Sequence, residues 1–136
     1  MNPAPHQTLA ELSGNDWGPP PPGASDTIRY QHALRQKPLG KLTTDEVLRL
    51  LDLGADADVL VPFALEHPDL VTSVPLLCAL LRVRDYNWHA NNIWLHRLRN
   101  QVYQADHILS HFEGDVDALN KRITLWRMYA SFEREI

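Results

Sequence analysis

The stretch WLHRLRNQVYQADHILSHF, residues 94–112, decides the fold class. Within it Trp94, Leu98, Val102, Ala105, Leu109 and Phe112 recur at steps of three or four residues. That spacing lines them up along one side of a helix, whereas a half-buried strand would alternate every second residue. Glu113-Gly114-Asp115 then turns the chain, and Val116, Leu119, Ile123, Trp126 and Ala130 repeat the spacing on a last helix. Two long helices joined by so short a turn are expected to lie antiparallel.

Working back from this pair, helical signals continue. Residues 74–83 are apolar nearly all round, with Ser73 as a cap and Pro75 in the first turn, and read as a central buried helix. Thr43-Thr44-Asp45-Glu46 is a capping box, a hydroxyl followed three residues later by a carboxylate. The helix it opens carries Val47, Leu48, Leu50, Leu51 and Leu53 and stops at Gly54. Asp56 can cap a segment from Ala57 to Glu66, which Pro62 either kinks or starts in earnest. Ser25 or Asp26 can cap a helix that runs to Leu34 or Arg35, before Lys37-Pro38 breaks it.

Residues 1–25 differ from the rest. Pro19 to Pro22 form a four-proline run after Asp16-Trp17-Gly18, and proline removes donors and fixes φ. An extended strap is expected over 1–25, pinned to the body by Trp17, whose large apolar surface is wasted in solvent. The expected fold is therefore all-α: a single-domain bundle or array of about six helices over 26–136, preceded by that Pro-rich N-terminal strap.

The bulk properties exclude several functions. The chain has 136 residues, 44% hydrophobic and 22% charged, the make-up of one ordinary globular domain. A formal charge of −4 offers phosphate backbones no general attraction, so nucleic acid is not an expected partner. No apolar run approaches the roughly 20 residues of a membrane span, and the N-terminus carries no leader pattern. The lone Cys78, inside Leu76-Leu77-Cys78-Ala79-Leu80-Leu81, reads as a small buried hydrophobe, which suits a reducing compartment. The expected location is the cytoplasm.

A search for chemistry comes back nearly empty. His107 and His111 stand four apart on one helical face, and Asp106 or Glu113 could join them around zinc. No motif specifies such a site, and the catalytic glutamate of a His-Glu-x-x-His arrangement is missing. There is no Gly-x-Ser-x-Gly elbow and no glycine-rich phosphate loop. No catalytic residue, metal or cofactor is expected.

Charge is distributed more tellingly. Asp45, Glu46, Asp52, Asp56, Asp58, Glu66 and Asp69 face the single basic residue Arg49 between Thr43 and Leu70. Glu113, Asp115 and Asp117 form a second acidic cluster. The plain explanation is a solvated face with helix caps. The functional one is an acidic surface for a basic protein partner, for which Asp52, Asp56, Asp58, Glu66, Asp69, Glu113, Asp115 and Asp117 are the candidates.

Short motifs in fixed order narrow the partner. Leu9-Ala10-Glu11-Leu12 with Asn15-Asp16-Trp17-Gly18-Pro19-Pro20 resembles the opening of immunity proteins of contact-dependent growth inhibition systems, the CdiI type. His32-Ala33-Leu34-Arg35-Gln36-Lys37-Pro38-Leu39 is similar to that family's "H-x-LR-x-KPL" element, and Thr43 to Leu51 to its "T-x-EDLRLMI" helix. Leu60-Val61-Pro62-Phe63-Ala64-Leu65-Glu66 resembles its "LVPLALE". Pro68 and the run from Leu76-Leu77 to Val83, ending near Tyr86-Asn87-Trp88, parallel its closing segment. The similarity spans roughly residues 9–88. The chain departs from it at Leu51 to Val59, which is more acidic, and at the shortened loop Thr72-Ser73-Val74-Pro75.

The resemblance implies a non-catalytic cytoplasmic protein that binds, one to one, the C-terminal toxin domain of a CdiA-type exoprotein. Such toxin domains are often nucleases. The alternative from the residues alone is a helical adaptor or regulator of another basic protein. The aromatic and acidic surface of the last two helices would also suit a homodimer.

Overall fold

Where the sequence supplies a cap, a helix begins. The Thr43 hydroxyl accepts from the Glu46 amide at 3.2 Å, and the Glu46 carboxylate accepts from the Thr43 amide at 2.9 Å. This reciprocal box opens α3 (Thr44–Leu53). Ser25 caps α2 (Asp26–Gln36) through the Ile28 amide, and Ser73 caps α5 (Val74–Leu81) through the Leu76 amide. The remaining helices are α1 (Leu9–Ser13), α4 (Ala57–Leu65), α6 (Asn92–Ser110) and α7 (Val116–Glu135).

The computed structural model describes residues 6–14, 18–53, 56–66, 73–84 and 86–136. Across them the chain is all-helical, with seven helices and no strand. The seventh beyond the expected six or so is the single turn α1, capped by Thr8, with Leu9 fully buried among the core leucines. Trp17, the expected pin of the strap, and the stop at Gly54 lie outside the described residues. Further along, the Gly18 carbonyl meets Nδ1 of His32 on α2 at 3.1 Å.

The core is layered around α5. Every residue of that helix except Pro75 is buried, and it packs on α3, α4 and α7. Burial pushes the Cys78 thiol up from its ordinary range, the direction of an inert thiol. α4 continues through Pro62, which is buried and leaves the Asp58 carbonyl without its usual helical donor. Trp88 closes one end of the core, edge-on to Tyr86 and to Phe132 of α7.

The last two helices pack as an antiparallel pair, turning at Gly114, whose φ of 80° is the left-handed region glycine favours. α6 buries Leu95, Leu98, Val102 and Ala105, close to the periodic face; Trp94 is half-buried and Phe112 is exposed. On α7 the face differs from the regular spacing. Ala118, Leu125 and Phe132 are buried, while Val116, Leu119 and Ile123 are exposed at 70%, 53% and 42%. At about 100° per residue the two rows are on roughly opposite sides of the helix. Both are apolar, so spacing alone could not choose between them. Burial is decided by α5 and α6, which cover only one.

Candidate protein-docking surface

The exposed row of α7 does not stand alone. Phe112, at the start of the turn that follows α6, is 57% exposed and joins Leu109, Val116 and Leu119 around a cavity of about 290 Å³ at the hairpin tip. Ile123 lies one helical turn beyond Leu119. Tyr103 of α6, 58% exposed, packs edge-on against Trp126 at 5.4 Å. The outer side of the α6–α7 hairpin therefore carries a run of large apolar side chains with one side in solvent. Soluble chains seldom leave such a run uncovered unless something docks there.

A charged network fixes this hairpin. The Asp106 carboxylate accepts from Arg122 Nε at 2.7 Å and from Trp126 Nε1 at 2.8 Å. The Arg122 hydrogen bond, with help from Trp126, holds the Asp106 carboxyl below the usual carboxylate range against the opposing cost of burial. One end further along, Glu133 takes a two-pronged contact from Arg99, at 2.7 and 2.9 Å, and is likewise held low. Burial and a hydrogen bond to Glu133 push Tyr129 up to about 12. These groups tie α7 to α6 across the hairpin.

The acidic candidates separate into two sets. Asp52 pairs with Arg82 at 3.0 Å, and Glu66 with Arg97 at 2.8 Å. Asp56 does not cap α4 with its side chain. It takes a left-handed backbone, φ 56°, and its carboxylate meets Arg35, which is buried. Aspartate tolerates that conformation better than most side chains. Asp58 is exposed and makes no ion pair among the described residues; Asp69 lies outside them. Most of the described part of the first stretch is thus answered within the molecule, by arginines from α2, α6 and the end of α5.

At the hairpin tip the picture differs. Glu113 is exposed and makes no ion pair among the described residues. Asp115 caps α7 by accepting from the Asp117 and Ala118 amides at 2.9 and 3.4 Å. Asp117 keeps only an exposed pair with Lys121, one turn on, at 3.0 Å. Glu113 and Asp115 line the cavity beside the apolar row, together with Arg122, whose charge is answered by Asp106, and Asp117 follows on the first turn of α7. The sequence pointed to the acids and to an aromatic surface on the last two helices; it read Val116, Leu119 and Ile123 as the packing face, and the structure exposes them. A seven-residue recurrence of Ala118, Leu125 and Phe132 was the signal that could have assigned the other row to solvent.

Among the described residues no group of three or more His, Cys, Asp or Glu gathers as a metal cage, and no helix is long and apolar enough to cross a membrane. Compared with protein-family models, curated proteins and solved structures, the chain matches none.

Proposed function

We propose that the chain is an immunity protein that neutralises the C-terminal toxin domain of a CdiA-type exoprotein by covering it, and that the outer side of the α6–α7 hairpin is the docking surface. The observation that carries the docking surface is the exposed apolar set Tyr103, Phe112, Val116, Leu119 and Ile123, bordered at the tip by Glu113 and Asp115, with exposed Asp117 on the first turn of α7. An apolar centre with a charged rim is how protein interfaces divide their work: the centre supplies affinity, the rim orientation and on-rate. A basic occupant suits an acidic rim, and a domain that grips nucleic acid is basic. The kind of partner rests on the ordered motifs between Leu9 and Trp88. The chain needs no reaction of its own for this task, and its expected place of action is the cytoplasm.

The test is co-expression with the toxin domain encoded immediately upstream. Protection of the cells and recovery of a one-to-one complex are the expected results. Toxicity unchanged by the chain, with no complex recovered, would end the reading. If Leu119→Asp instead turned a dimer of the free chain into a monomer and left protection intact, the occupant of the surface would be a second copy.

A further inference from the structure

His107 in the last turn of α6 and His111, which caps that helix, stand four residues apart, both exposed to solvent. Their rings meet edge-to-face with centroids 4.7 Å apart, and their Nε2 atoms are 3.4 Å apart. Two imidazole nitrogens bound to one tetrahedral zinc at the usual Zn–N length of about 2.0–2.1 Å are themselves about 3.4 Å apart. The pair thus already holds its Nε2 atoms at a chelating separation. As a hydrogen bond the same contact is long and weak.

We propose that His107 and His111 form a two-point site for a divalent transition-metal ion, with Zn²⁺ the reference ion. Imidazole pairs select Zn²⁺, Cu²⁺ or Ni²⁺ over Mg²⁺ and Ca²⁺, which take oxygen donors. Asp106, the nearest carboxylate in sequence, is occupied by Arg122 and Trp126, and no third His, Cys, Asp or Glu among the described residues joins the pair. The protein therefore supplies two ligands, and water fills the remaining positions. Such an open site binds without closing, and its exposure lets the ion enter and leave directly. The inference rests on the histidine geometry alone and stands apart from the toxin-binding reading.

The test uses the full chain without an affinity tag, stripped with chelator and titrated calorimetrically with ZnCl₂. One Zn²⁺ per chain is expected, with no heat from MgCl₂ or CaCl₂. His107→Ala and His111→Ala should each remove the chelate advantage and weaken binding on the order of a hundredfold. Both side chains are exposed, so helicity by circular dichroism should stay unchanged. His96→Ala, exposed on the same helix, should bind as the parent does. Zn²⁺ should raise the melting temperature of the parent but of neither variant at the same concentration. Absence of binding at millimolar Zn²⁺, or binding that survives both substitutions, would overturn the site.

Discussion

The acidic stretch from Asp45 to Glu66 and the acidic tip from Glu113 to Asp117 look alike as residue types, yet they do different things. In the first, Asp52 of α3 and Asp56 and Glu66, which flank α4, reach across to Arg82, Arg35 and Arg97, while Asp58 faces solvent. At the tip the carboxylates cap a helix, make one local pair, or face solvent, and they do so beside exposed Phe112, Val116 and Leu119. Most of the negative charge is answered by arginines in the first region, and most of it is left to solvent or to local contacts in the second. What separates them is where the arginines lie in space, and a count of charges along the chain does not contain that.

The contrast can be broken most severely at its buried end. Arg35→Ala leaves Asp56 without its counter-ion in a mostly enclosed position, and a loss of about 3–5 kcal/mol is expected. Urea denaturation measures it; a loss below about 1 kcal/mol, the size of an exposed pair, would place Asp56 among the solvent-facing acids. At the other end, Phe112→Ala and Leu119→Ala should each weaken toxin binding by about 1–4 kcal/mol while stability changes by no more than about 0.5 kcal/mol. Calorimetric titration beside thermal melts separates the two effects.

Acid sharpens the comparison in a third way. The folded-state pKa values of Asp106 and Glu133 are depressed, chiefly by hydrogen bonds from Arg122 and Arg99. Their stabilisation is therefore complete above the unfolded carboxyl pKa of about 4 and is lost as pH falls through the lower folded value. Asp106→Asn should melt below the parent at neutral pH, and the gap should shrink in acid, as melting curves across pH would show. A gap that stayed constant would mean packing, not ionisation, carries the effect. The smallest change is expected at the surface: Asp52→Ala removes a pair whose two side chains are each nearly half exposed, and should cost at most about 1 kcal/mol.

Much of the fold was legible because its signals are local. The Thr43–Glu46 box, the Ser25 and Ser73 caps, the apolar run of α5 and the Gly114 turn each depend on residues a few positions apart. The inward face of α7 was not local in that sense. Its two apolar rows are equal as periodic patterns, and only the position of α5 and α6 chooses Ala118, Leu125 and Phe132 for burial. The candidate surface was half legible for the same reason: Glu113, Asp115 and Asp117 show as a cluster in the chain, but exposure of the apolar row beside them is a tertiary fact. Asp56 shows the limit most clearly. Its place before Ala57 marks it as a cap, yet a buried arginine from α2 takes its side chain.

On the proposed function, the most direct test is a titration of the cognate toxin domain, expected to be encoded immediately upstream, into the parent chain, into Phe112→Ala/Leu119→Ala, and into Asp52→Lys/Asp58→Lys. The expected result is a one-to-one complex that the hairpin pair of substitutions weakens at least about tenfold and the α3–α4 charge reversals weaken far less. A complex that ignores the hairpin substitutions and is lost on reversing Asp52 and Asp58 would contradict it.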